Sequence, residues 1–179
     1  MFNLFSKKGR KPTVKDIVWI SANAKWRGLV DLYNKDESTV FIFWFDETLT
    51  SAQDFLSSQM VPKINLVLAR DARYLQVQEK PVVFAEHHPL RNKEQQFFQD
   101  LHLSVACVLS ALDEPLFLRF GGEKIIHLMR QLGIDEKESL ENSMITTAID
   151  NAQEKIQREV SVEQTATSQT QWFSRNMQS

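Results

Sequence analysis

The stretch Val40-Phe41-Ile42-Phe43-Trp44-Phe45 constrains this chain more than any other. Alternate side chains of a strand point to opposite faces, so six consecutive β-branched or aromatic residues leave no face for water. Such a run belongs in a sheet covered on both sides. Further apolar runs occupy residues 17–20, 64–69, 82–85 and 104–112. Between them apolar residues recur at helical spacing: Trp26, Leu29, Val30 and Tyr33, then Leu49, Ala52, Leu56 and Met60. A short helix is expected around residues 72–75, and a longer one carries Leu90, Glu94, Phe97, Phe98 and Leu101. This alternation predicts an α/β fold with a doubly wound, mostly parallel sheet.

The alternation stops near Asp113, and every later segment reads as helix. Pro115 suits a first turn, Gly121-Gly122 breaks the chain, and Ile125, Ile126, Met129 and Leu132 mark a helix closed by Gly133. Ile145, Ala148, Ile149, Ala152, Ile156 and Val160 form one stripe of a longer helix. Within it, Ile149, Ala152 and Ile156 are the candidates for contact with a partner helix or a second copy, should that helix project. From Gln164 onward the chain is rich in Gln, Thr and Ser but keeps Trp172, Phe173 and Met177. The expected division is a basic flexible tail at 1–15, an α/β domain at 16–120 and a helical extension at 121–179.

Composition narrows the partners. An apolar fraction of 42% against 25% charged allows a real core, and the formal net charge is only -2. No basic run interleaved with aromatics follows the first dozen residues, so nucleic acid is not an expected partner. A lone Cys107 argues against a zinc module and for a reducing compartment. No eighteen-residue apolar run occurs, and the charges follow rather than precede the short apolar start, so the cytoplasm is expected. Phe2, Leu4 and Phe5 beside Lys7, Lys8, Arg10 and Lys11 suggest peripheral membrane contact, each basic residue contributing about 1 kcal/mol near anionic lipid.

A parallel sheet invites a search for phosphate loops, which need glycines so that backbone N–H groups can close around the phosphates. None of the five glycines (9, 28, 121, 122 and 133) sits between a strand and a helix with Lys-Ser/Thr after it. Two carboxylate pairs imitate the acidic strand ends that hold magnesium, Asp46-Glu47 and Asp113-Glu114. The simpler reading makes Asp46 and Asp113 caps of the helices that follow. Glu86-His87-His88 follows the fourth strand, where α/β sheets place ligand-contacting residues. Adjacent residues in an extended segment diverge, so His87 and His88 should not share a metal, and a strand-end surface feature is expected. His102 and His127 have no motif spacing, and no Gly-x-Ser-x-Gly signature occurs.

Residues 82–156 resemble SecA, the motor ATPase of bacterial preprotein translocation. The matching order is Glu86, His88, Arg91, Gln96, Leu112-Asp113-Glu114 and Phe120-Gly121-Gly122-Glu123-Lys124-Ile125. Leu128-Met129, Leu132-Gly133-Ile134, Met144-Ile145 and Ala148-Ile149-Asp150-Asn151-Ala152-Gln153-Glu154-Lys155-Ile156 complete it. The resemblance implies the second RecA-like motor domain, of helicase C-terminal type, and the start of the helical scaffold.

Read without gaps, the arginines that reach the γ-phosphate in that family fall on Phe98, Asp100 and Leu103 here, and the associated glycines on Gln99 and His102. Phe or Asp cannot replace an arginine finger. Packing residues are kept where catalytic ones are lost, which implies a non-catalytic protein-interaction module without a cofactor, acting on the translocation motor or a preprotein. Two alternatives stand beside it. A composite ATP site completed by a partner would use Asp46, Glu47, Glu86 and Arg91. A small hydrolase would use Glu86 and His88 with Asp113.

Overall fold

The computed structural model describes residues 11–61 and 64–177. Of the expected membrane contacts, Phe2, Leu4, Phe5, Lys7, Lys8 and Arg10 lie outside these residues, and Lys11 is exposed.

Five strands form one all-parallel sheet: β1 (Thr13–Trp19), β2 (Val40–Phe43), β3 (Asn65–Leu68), β4 (Val82–Phe84) and β5 (Val105–Ala111). Their spatial order is β1-β5-β4-β2-β3. The intervening helices are α1 (Ala22–Lys35), α2 (Asp46–Ser58), α3 (Tyr74–Val77) and α4 (Arg91–Asp100). The steps from β1 to β2 and from β2 to β3 run one way across the sheet, and the next two run back. With right-handed crossovers, α1 and α2 then cover one face and α3 and α4 the other.

The buried clusters follow that division. Trp26, Leu29, Ala52 and Leu56 pack with Ile17, Phe41, Phe43 and Leu109. On the opposite face Val77, Phe98 and Leu101 meet Ile42, Phe84, Ala106 and Val108. All four residues of β2 are buried, as the continuous apolar run requires. Phe98 is fully buried and Phe97 packs beside the same cluster, so the aromatic edge of α4 belongs to the core.

The helices after β5 are α5 (Pro115–Arg119), α6 (Gly122–Gln131), α7 (Ser143–Glu159) and α8 (Gln169–Asn176). They share cores with the sheet. Leu116, Ile156, Trp172, Phe173 and Met177 cluster with Phe45 and Leu90 beyond the strand ends. Met129 and Ile149 pack on Val18, Ile20 and Leu112. Ile149, Ala152 and Ile156 are therefore inside the chain, at 4%, 8% and 0% exposure, and offer no seam to a partner helix. The apolar stripe of α7 found its cover on β1 and α4. An antiparallel bridge between Val18 and Leu140 ties the extension to the edge of β1. At the other end of that strand, β1 begins at Thr13, within the stretch read as tail.

Gly121, at φ 92°, starts α6, and Gly133, at φ 72°, follows its end, as the two glycine breaks anticipated. Neither expected aspartate cap formed as drawn. Phe45 is the N-cap of α2, and Asp46, already helical, forms a two-bond pair with Arg70 at 2.7 and 2.6 Å. Asp113 does not cap α5, whose Pro115 at N1 has no N–H to offer; its Oδ2 accepts from Ala22 N of α1 at 3.1 Å.

Candidate functional site

The helices after β2 and β4 leave for opposite faces, and these strands are neighbours. Their C-terminal ends thus form the switch point at which open α/β sheets receive ligands. Glu86 lies there, 2% exposed. Its Oε1 accepts from the backbone N–H groups of Trp44 at 3.1 Å and Phe45 at 3.0 Å, and its Oε2 from the Thr48 hydroxyl at 2.7 Å. These N–H groups lead into α2, where a helix N-terminus favours an anion. The chain fills that position itself, with a carboxyl group. Burial pushes the Glu86 carboxyl up to about 7, Lys25 opposes the rise and Glu114 adds to it.

Lys25 of α1 is 1% exposed and donates to Ala85 O at 2.7 Å and to Glu114. A buried ammonium survives only when paired and hydrogen-bonded. Burial likewise raises the Glu114 carboxyl, against the pull of Lys25. A cavity of about 270 Å³ opens beside these groups, with Glu47, Thr48 and Asp113 in its wall and Ser168 and Gln169 of the α8 start facing them.

His87 and His88 point apart, as their adjacency predicts, but both are buried at 2% exposure rather than on the surface. The loop after β4 is roofed by α7 and α8, which is why a strand-end position does not meet water. His87 lies between Asp16 of β1, with Nε2 to Oδ1 at 2.8 Å, and Glu94 of α4, with Nδ1 to Oε1 at 3.0 Å. Burial alone would lower this imidazole, but the charge of Glu94 and the hydrogen bonds to both carboxylates raise it well above its ordinary value. Burial pushes Asp16 up, and the hydrogen bond and charge of His87 outweigh that and hold it low. His87 is an imidazolium clamped by two carboxylates.

His88 is the opposite case. Its Nδ1 accepts from Leu90 N at 3.0 Å, its Nε2 lies 3.1 Å from Glu163, and burial lowers its pKa. Its ring packs among Trp44, Phe45 and Trp172. Glu163, which burial would raise, is held at about 2 by hydrogen bonds from His88, Lys93 and Trp172. Gln153 of α7 donates to His88 O and Glu94, and Gln169 of α8 donates to His87 O, so the extension is bonded to this loop.

The structure thus brings Glu47 and Glu86 to one crevice and leaves Asp46 and Arg91 elsewhere. Arg91 spends its guanidinium on Asp150 at 2.7 Å and on Glu154, both of α7. Glu86, His88 and Asp113 do not converge; each has its own partners, and His88 borders a different cavity with Trp44, Lys93 and Glu163. Among the described residues no group of three or more His, Cys, Asp or Glu is arranged to hold a metal ion. Burial raises the Cys107 thiol to about 11, which keeps it protonated at neutral pH.

Sequence reasoning passed over Lys25, and it named Gln153 only within the resemblance, with no role. Lys25 stands four residues before Leu29, on the apolar stripe of α1, and a charge on that stripe was the available signal.

The glutamate, histidine and arginine that open the resemblance to SecA are now placed on this loop and the start of α4. SecA subunits of the protein translocase match part of the chain. Over 47 residues, 26% of this chain, identity is 45% to that of Maridesulfovibrio salexigens and 43% to that of Campylobacter hominis. It is 45% over the same length to that of Desulforapulum autotrophicum. This chain carries a SecA-related segment. The match spans 5% to 6% of the length of these relatives. No protein-family model matches the chain. Among the described residues no helix is long and apolar enough to cross a membrane.

Proposed function

We propose that this chain is a non-catalytic interaction module that works in the cytoplasm beside the protein-translocation machinery, on the motor itself or on a preprotein. One observation carries the reading. The carboxylate of Glu86 occupies the N–H groups of Trp44 and Phe45, at the point of the sheet where a nucleotide phosphate would have to bind. A phosphate there would have to displace that side chain, and would meet like charge wherever Glu86 is ionised.

The surroundings agree. Phe98 and Leu103, which stand where the motor family places arginines, pack in or against the core, and Asp100 is bonded by Gln96. Arg91 is committed to α7. Protein binding has surface to work with. α6 presents Ile125, Leu128 and Leu132 on one side at 45%, 54% and 69% exposure, an apolar strip on an otherwise charged helix. Contact of Phe2, Leu4 and Phe5 with an anionic membrane would hold the module near the translocation channel.

Surface-immobilised chain titrated with a purified SecA motor, with and without a signal-bearing preprotein, tests this. Saturable binding that Leu128→Glu with Leu132→Glu weakens, and that ATP with magnesium leaves unchanged, is expected. No binding to motor or preprotein overturns the reading. Binding that appears only with nucleotide would instead favour the composite ATP site.

A further inference from the structure

A groove between α5, α6 and α7 is lined by apolar residues throughout, among them Phe117, Phe120, Ile125, Ile145, Ala148 and, from β1, Val18. It is open to water, since Phe120 is 38% exposed and Ile125 45%. Its volume is about 150 Å³, below the range of pockets that enclose whole organic ligands, roughly 300–1,000 Å³. An apolar cavity of about 150 Å³ stays dry and accepts a benzene ring. The groove is sized for one phenylalanine side chain.

Reach and charge together name the owner of that ring. Phe2, Leu4 and Phe5 precede Lys11, the first described residue, and β1 starts at Thr13. At about 3.3 Å per residue, extended chain from Leu4 to Thr13 spans about 30 Å, while Thr13 lies about 17 Å along the strand from Val18. The N-terminal segment is long enough to turn back along β1 and enter the groove. Strand β1 is at the edge of the sheet, and the loop from Asp135 to Glu141 meets that edge where Leu140 bridges to Val18. This loop carries Asp135, Glu136, Glu138 and Glu141 against Lys137. Lys15 pairs with Glu141 and Arg130 with Glu136, each at 3.0 Å, whereas Asp135 and Glu138 have no ion pair among the described residues. Lys7, Lys8, Arg10 and Lys11 stand between the apolar anchors and Thr13, so a segment turned back along β1 carries its positive charges past these carboxylates.

We propose that residues 2–5 of this same chain dock in the groove, one phenylalanine ring entering between α6 and α7 and the basic residues lying along the 135–141 loop. The proposal goes beyond the interaction-module reading and does not depend on it. The same side chains cannot lie in the groove and in a membrane at once. Docking therefore withholds them from lipid until the groove is vacated.

A nitroxide attached at Ser6→Cys, in the full chain that also carries Cys107→Ala, tests the docking through methyl NMR signals. Those of Ile125 and Ile145 should lose most of their intensity, while those of Leu29 and Leu56, on the opposite face of the sheet, keep theirs. Phe2→Ser with Leu4→Ser and Phe5→Ser should restore the lost signals. Ala148→Glu, at an exposed position of the groove wall, should restore them too. With the N-terminal segment freed in this way, association with phosphatidylglycerol vesicles, read by co-sedimentation, should rise several-fold. Full intensity at Ile125 and Ile145 beside the nitroxide, or a loss that the triple change leaves in place, overturns the docking. The same loss with nitroxide and isotope on different molecules assigns the groove to a second copy and overturns it as well. Vesicle association that Ala148→Glu does not raise contradicts the withholding from lipid. The translocation motor enters none of these measurements, so this proposal and the interaction-module reading fail separately.

Discussion

Nε2 of His87 lies 2.8 Å from Oδ1 of Asp16, joining the loop after β4 to the edge strand β1. Glu94 completes the clamp from α4, and Gln153 of α7 donates to that glutamate. Four elements from distant parts of the chain thus meet around one buried imidazolium.

Removing that cation should be among the most damaging single changes. His87→Leu leaves Asp16 and Glu94 buried and facing each other without a counter-charge. Breaking a buried ionic group from one side costs about 3–5 kcal/mol. Urea unfolding at neutral pH should show the loss, whereas Lys15→Ala, which removes an exposed pair with Glu141, should change stability by about 1 kcal/mol or less.

Stability should fall as pH rises through the mildly acidic range towards neutrality. Glu86 is raised from 4.5 to about 7 in the folded chain, so its contribution is full below about pH 4.5 and is lost as pH climbs to about 7. Glu114 is raised too and acts in the same direction. His87, raised well above its ordinary value, contributes fully below about pH 6.5 and fades only as pH passes its folded value. Asp16, held low, keeps its contribution until pH falls below the ordinary carboxylate range. The neutral His88 opposes the trend, and only below about pH 6.5. Chemical unfolding at a series of pH values checks the slope, and Glu86→Gln should flatten its segment between about pH 5 and pH 7.

How much of this was legible beforehand differs by element. Residues 40–45 announced a doubly covered strand because an all-apolar run has only one comfortable environment, and β2 is wholly buried. The glycines around α6 were equally readable, since a positive φ selects for that residue. The cluster at Glu86-His87-His88 was misread as surface. Its burial depends on Trp172 and Gln169, more than 80 residues later, folding back over the strand ends. The extension read as helix to its end, but the polar composition of α8 hid where it packs, since only Trp172, Phe173 and Met177 are apolar anchors. The caps failed because Asp46 and Asp113 found partners from other elements, Arg70 and Ala22, which local pattern does not encode.

The stripe of α7 should behave as core. Ile156 is fully buried in the cluster that holds Phe45, Leu90, Leu116 and Trp172, so Ile156→Ala should cost about 2–5 kcal/mol. Analytical ultracentrifugation should show the same association state before and after the change, because the stripe faces inward.

The Phe-Gly-Gly break should tolerate no side chain at its second glycine. A Cβ on Gly122 would come 2.5 Å from Leu112 O and 2.9 Å from the Phe117 backbone, atoms that cannot rotate away. Gly122→Ala should therefore lower stability by about 1–3 kcal/mol, read as a fall in melting temperature. Gly121, whose Cβ would meet nothing within 4 Å, should suffer from its φ of 92° alone.

Steady-state ATP turnover by the purified full chain is the most direct test of the central claim, that the switch point of this sheet is filled by Glu86 and serves contact rather than catalysis. The account predicts phosphate release no faster than in buffer with magnesium alone, and the same with Glu86→Gln. Sustained turnover that requires magnesium and disappears in Glu86→Gln would contradict it.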